Sequence, residues 1–180
     1  MIVGQERYPD KIRGSDGKDF ENLVEALHRQ FFGEDIGIYR NGFEQLTIGE
    51  SHAGVECKEL KKSFNRLHIE IAERTSASGN WFPSGIYSKD NATRYVCGND
   101  EDIFAFAKPI LIAWHQKYKP EEIEYPPEGP TIRSAVLQKR VAEKMCLYRF
   151  IRVENDWVLN RQSMGMICEM IRRNKPTDAP

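Results

Sequence analysis

The sequence predicts an α/β or α+β domain built on a central mixed β-sheet flanked by helices. Three observations carry that expectation. An amphipathic helix pattern opens the patterned part of the chain, a series of short strand-like runs follows, and a second helix pattern comes after them. The chain has 180 residues, 40% of them hydrophobic and 29% charged. That is long enough to bury a core without disulfides or a structural metal.

The elements read as follows. Residues 1–15 are polar and extended. The first helix starts near Asp16, a suitable cap, with Asp19 in the first turn. Phe20, Leu23, Val24, Leu27 and Phe31 recur at helical spacing, and Gly33 suits the end. Strand-like runs follow at 36–40, 43–50, 54–60 and 67–74. In the last of these, Leu67, Ile69 and Ile71 alternate with His68, Glu70 and Ala72. Two further strands at 93–97 and 103–107 flank the turn signal Gly98-Asn99-Asp100. Residues 109–118 read as a helix entered through Pro109.

This divides the chain into a core at 1–120, a proline-rich linker at 121–130 and a mixed, helical extension at 131–180 packed on the core. Within the extension, 131–137 fits a strand or a helix start. Residues 138–150 are rich in helix formers, 156–160 fit a short strand, and Ser163 can cap a last helix to Arg173. The end at 176–180 should fray.

Composition narrows the function. Cys57, Cys97, Cys146 and Cys168 lie far apart and form no Cys-x-x-Cys pair, which argues against zinc-finger and redox chemistry. Scattered thiols fit a reducing compartment, so a cytoplasmic location is expected. No apolar run is long enough to span a bilayer, and no secretory signal core is visible, so no membrane partner is expected. The 26 basic and 27 acidic side chains leave a net charge of −1. A nucleic-acid-binding chain more often carries a basic surplus, although an acidic metal site adds negative charge that a cation offsets.

The informative stretch is Gly49-Glu50-Ser51-His52-Ala53-Gly54-Val55-Glu56-Cys57-Lys58. Glu56 and Lys58 are two apart on an expected strand and so share a face. If the chain doubles back between Ser51 and Gly54, Glu50 comes to rest beside Glu56. Two carboxylates and a lysine then converge. Mg²⁺ or Mn²⁺ takes oxygen ligands, only one or two of them protein carboxylates, and fills its shell with water and phosphate. A lysine beside it can orient or deprotonate water and offset charge on phosphorus oxygens.

These residues resemble the PD-(D/E)xK nuclease superfamily. Glu50 matches the first acid, and Glu56-Cys57-Lys58 matches the triplet. Gly49-Glu50 replaces the family's proline-aspartate pair, and the gap to Glu56 is short. The resemblance follows element order over residues 16–118 and is specific across 49–74, where a Gly-Glu-x₄-Gly-Val-Glu-x-Lys stretch precedes Ile69-Glu70-Ile71-Ala72-Glu73. The segment Ser84-Gly85-Ile86-Tyr87 belongs to the same combination. The resemblance implies a restriction-endonuclease-like fold and Mg²⁺-dependent (or Mn²⁺-dependent) hydrolysis of nucleic-acid phosphodiesters, with DNA as the expected substrate. It implies metal ligation by Glu50 and Glu56 and water positioning by Lys58. It adds Glu21 on the first helix, with Glu25 as second choice, and Glu70 on the next strand. Cutting both strands with so small a fold calls for a homodimer.

Each assignment has a plainer rival. Glu and Lys two apart also suit the solvated face of an edge strand. Glu21 also suits the positive end of a helix dipole. Lys61, Lys62, Arg66 and Arg74 read either as phosphate contacts or as ordinary surface. Trp81, Phe82 and Tyr87 could stack on bases, but aromatics after a strand fit a core better. His52 reads as a solvated turn residue. The competing reading of the whole chain is a catalytically inactive nucleic-acid-binding or assembly protein of the same fold.

Overall fold

The computed structural model describes residues 17–60, 65–76, 78–125 and 131–161. Asp16, Lys61, Lys62, Cys168, the lead-in and the expected C-terminal helix lie outside them. Helix α1 (Gly17–Phe32) forms where the apolar spacing places it, and buries Phe20, Leu23, Val24 and Leu27. Gly33, at φ +66°, closes it with an N–H bond to the Arg29 carbonyl.

The next expected strand, 36–40, reduces to one bridge between Ile38 and Ser51. The expectation of a strand at 43–50 is corrected: Gly42–Thr47 is helix α2. Asn41 accepts from the Glu44 N–H at 2.8 Å, and its side-chain amide donates back to Glu44 Oε2 at 2.7 Å. This local reciprocal cap outweighs a weak alternation.

The strands are β1 (Val55–Glu59), β2 (Arg66–Arg74), β3 (Phe82–Pro83), β4 (Arg94–Gly98), β5 (Asp102–Ala107), β6 (Glu122–Tyr125), β7 (Thr131–Gln138), β8 (Tyr148–Val153) and β9 (Asp156–Arg161). Helix α3 (Lys108–Tyr118) follows β5, and α4 (Lys139–Met145) follows β7. The helix expected over 138–150 therefore stops at Met145, and the chain returns as β8. Glu122–Tyr125, read from sequence as linker, pairs with β7.

Two sheets result. One is mixed, in the order β1-β4-β5-β8-β9, with β1 parallel to β4 and the other pairs antiparallel. The other is antiparallel, in the order β3-β2-β7-β6. The α+β class is as expected, but helices alone do not flank the mixed sheet. One face carries α1, whose Val24 and Leu27 pack with Val55, Cys57, Val96, Ile103 and Ala105. The other face meets the second sheet, where Leu67, Ile69 and Ile71 pack with Tyr95, Cys97, Phe104 and Phe106, joined by Leu111 and Trp114 of α3. Strands β4 and β5 are thus buried on both faces, which explains their nearly unbroken apolar run. Residues 131–161 supply strands to both sheets. Among the described residues, no helix is long and apolar enough to cross a membrane.

Candidate active site

The site lies where edge strand β1 of the mixed sheet faces β2 of the other. Glu56 and Lys58 pair in register with Tyr95 and Cys97 and share their face, toward the second sheet. Cys57 takes the α1 face.

The turn that brings Glu50 to them is built by short-range bonds. The Ser51 hydroxyl accepts from the Val55 N–H at 2.8 Å and donates to the Val55 carbonyl at 2.9 Å. Gly49 sits at φ +134°, and a Cβ there would lie 2.1 Å from Asn91 Oδ1. Proline cannot adopt that φ. The backbone path therefore excludes proline at position 49.

Lys58 Nζ is the centre of the cluster. It lies 3.1 Å from Glu50 Oε1, 3.5 Å from Glu56 Oε1 and 3.6 Å from Glu70 Oε2. The three carboxylates come from the turn, from β1 and from β2. Burial pushes the ammonium toward its neutral form, but Glu50, Glu70 and Glu56 outweigh that and hold its pKa above the ordinary lysine value. In this arrangement Lys58 is a fixed cation and hydrogen-bond donor. The base role open to it from sequence alone is not favoured.

Glu50 is shared: its Oε2 accepts from the Cys57 N–H at 2.6 Å. Glu70 is oriented by the Ser84 hydroxyl, which donates to Oε1 at 2.5 Å. Gly85, at φ +54°, lets that segment approach so closely; a Cβ there would meet the Glu70 carbonyl oxygen at 2.2 Å. The Glu70 N–H donates to the Tyr95 hydroxyl at 3.2 Å, a second tie between the sheets. Burial raises the Glu56 carboxyl pKa, Lys58 and Lys108 oppose the rise, and Glu50 adds to it.

Sequence reasoning missed Lys108 and Asp90, and gave Ser84 no role. Lys108 Nζ lies 3.2 Å from Glu56 Oε2 and 2.8 Å from Asp90 Oδ1, and its side chain is 5% exposed. One signal for it was present. A lysine in the first turn of a helix opposes the dipole, so burial at that position requires acidic partners. Asp90 carried no signal beyond its loop.

Glu21 lies near the cluster, where burial, Glu50 and then Glu21 push up the Cys57 thiol; Arg40 pairs with Glu21 at 3.8 Å and with Glu25 at 3.0 Å. The remaining expected residues stand elsewhere. Arg66 and Arg74 occupy opposite ends of the nine-residue β2, so they do not make one patch. Arg66 pairs with Glu121 at 3.6 Å and Arg74 with Glu124 at 3.3 Å. Arg74 and Arg133 also stack on Trp81. Phe82, expected in the core, is 57% exposed, because β3 is a two-residue edge strand. His52 is exposed and rests against Tyr39. Cys57, Cys97 and Cys146 are buried free thiols.

Among the described residues, no three histidine, cysteine, aspartate or glutamate side chains form a ready metal cage. The donor chemistry does suit a hard cation. Glu56 Oε2 is buried and makes no aligned hydrogen bond, its ion-pair partner among the described residues being Lys108 Nζ at 3.2 Å, and Glu50 is the more exposed carboxylate of the cluster. A Mg²⁺ that takes one or two protein carboxylates fits this set. No family model, curated protein or solved structure matches the chain.

Proposed function

We propose that the protein is a metal-dependent nuclease that hydrolyses nucleic-acid phosphodiester bonds, with DNA as the expected substrate. The observation that carries this reading is Lys58 Nζ held within 3.1–3.6 Å of Glu50, Glu56 and Glu70. The Glu-x-Lys spacing, the preceding acid and the turn between them add support. Glu50 and Glu56 would hold the Mg²⁺, which when bound would supply a water of lowered pKa and stabilise negative charge on phosphate oxygens. Lys58, kept charged by its neighbours, donates to the scissile phosphate as charge grows there. Glu70, fixed by Ser84, sets the position of Lys58.

The test is cleavage of end-labelled single-stranded DNA, duplex DNA and RNA with Mg²⁺ or Mn²⁺, comparing wild type with Glu56→Gln and Lys58→Met. Loss of cleavage by at least a hundredfold in both variants, with circular dichroism unchanged, is expected. Equal cleavage by folded variants would overturn the assignment.

A second reading is an inactive binding or assembly protein. Arg66 and Arg74 are tied to glutamates, and the net charge is −1, which weakens a phosphate-binding surface. That reading predicts no cleavage with any divalent ion. A steep salt dependence of DNA affinity then separates a nucleic-acid binder from an assembly protein.

A further inference from the structure

We infer that Lys108 takes the place of a second metal ion in this site. The inference rests on the metal-dependent reading above and concerns the number of ions the site holds. Glu56 offers one oxygen to each of two cations: Oε1 to Lys58 at 3.5 Å and Oε2 to Lys108 at 3.2 Å. A carboxylate between two cations is also the arrangement of a two-metal phosphodiesterase centre. On the Lys108 side the second carboxylate is Asp90, whose Oδ1 accepts from Lys108 at 2.8 Å and from the Ala92 N–H at 2.9 Å. Glu56 and Asp90 therefore form a dicarboxylate cleft closed by an ammonium.

The position of Lys108 is set by the backbone. Its N–H donates to the Thr93 carbonyl at 2.9 Å, and Pro109 follows in the first turn of α3. Burial, the helix dipole and the neighbouring lysine all disfavour a cation there. Pairing with Glu56 and Asp90 holds it in place. Formally, Glu50, Glu56, Glu70 and Asp90 carry four negative charges against two positive ones on Lys58 and Lys108. The remainder matches one divalent ion. Without Lys108 the remainder would call for more cationic charge, and the Glu56–Asp90 cleft would be free to take it. Lys108 is in this sense a positioning residue: it orients Glu56 and limits the site to a single ion.

The experiment is Mn²⁺ titration of the full chain, with free Mn²⁺ read by electron paramagnetic resonance. The proteins are wild type, Lys108→Met, and Lys108→Met combined with Asp90→Asn. The wild-type count tests the metal-dependent reading; zero would overturn that reading. The difference between wild type and Lys108→Met tests the inference. One additional ion in Lys108→Met, lost again in the double variant, is expected. An unchanged count in folded Lys108→Met overturns the inference alone. If Lys108→Met is unfolded in chelator, Mn²⁺ should restore the wild-type circular dichroism, because the ion replaces the missing ammonium; failure to restore it also overturns the inference.

Discussion

Glu50 Oε2 accepts the backbone N–H of Cys57 at 2.6 Å, so the residue before the turn caps an amide on the edge strand of the mixed sheet. The same carboxylate holds Lys58 through its other oxygen. One role needs only an acceptor, and the other needs charge. Glu50→Gln keeps an oxygen for the amide, whereas Glu50→Ala removes both interactions. A hydrogen bond to a charged group contributes about 1.5–3 kcal/mol. Glu50→Ala should therefore lose about that much stability and Glu50→Gln roughly half or less, by urea denaturation. On the nuclease reading proposed above, both should also lose metal-dependent cleavage. Equal destabilisation of the two variants would show that the backbone cap is not what Glu50 contributes.

The contact between Ser84 and Glu70 predicts a graded pair of effects. Ser84→Ala removes the short donor to Glu70 Oε1 and should cost about 1–2 kcal/mol. Gly85→Ala is harsher. Its φ of +54° disfavours a side chain, and the new Cβ would lie 2.2 Å from the Glu70 carbonyl oxygen. Either β2 or the Ser84 segment must move, at a cost of roughly 2–4 kcal/mol. Denaturation midpoints should rank wild type above Ser84→Ala, and Ser84→Ala above Gly85→Ala. A Gly85→Ala protein as stable as wild type would mean that the close approach is not required.

These residues also show what the sequence could disclose. Glu56 and Lys58 were legible because strand periodicity alone puts them on one face, whereas Glu70 came from the resemblance: plain alternation sets it opposite Leu67, Ile69 and Ile71, and the register of β2 shifts between Glu70 and Ala72 where its carboxylate meets Lys58. Helix α1 and the β4–β5 hairpin were legible from periodicity as well, with Asn99 accepting from the Glu101 and Asp102 N–H groups in the turn. The division of strands between two sheets was not. Alternation in β2 says that one face is buried, but not that β7 rather than β1 will be its neighbour. Lys108 and Asp90 reach Glu56 only through that long-range arrangement. Residues 43–50 are a different case: the capping pair Asn41 and Glu44 stands in the sequence and outweighs the weak alternation beside it.

That capping pair can be tested directly. Asn41→Ala removes the acceptor for the Glu44 N–H and the donor to its carboxylate. Loss of an N-cap costs about 1 kcal/mol. Helix α2 is only six residues long, so it has little else to hold its first turn. Its last turn runs into Gly49 and Glu50, with the Ile48 and Gly49 N–H groups both bonded to the Glu44 carbonyl. Asn41→Ala should therefore raise amide hydrogen exchange from Phe43 to Gly49 by about fivefold, as ~1 kcal/mol implies. Exchange in β4 and β5 should not change.

The last prediction concerns pH and lies away from the proposed chemistry. His28 is buried on the inner face of α1. Its Nδ1 donates to the Val24 carbonyl at 2.8 Å, and its Nε2 accepts from the Tyr148 hydroxyl at 2.6 Å. With the hydroxyl as donor, the ring is neutral. Burial lowers the pKa, the Val24 carbonyl opposes the shift, Arg94 adds to it and Glu34 opposes it. The folded state therefore binds the proton less readily than the unfolded chain, whose histidine titrates near 6.5. Stability should be fully present above about pH 6.5 and fall as pH drops below it, levelling off only under the lowered folded pKa. Glu34 acts further down the scale. The Arg94 hydrogen bond lowers its pKa, burial opposes the change, and further attraction from Arg94 reinforces it. Its contribution is present above the unfolded carboxylate value and disappears as pH falls through the folded one. Thermal melts between pH 8 and 5 should show a falling midpoint in wild type, and His28→Gln should reduce that slope while starting from a lower midpoint. An unchanged slope in His28→Gln would assign the acid sensitivity to other groups.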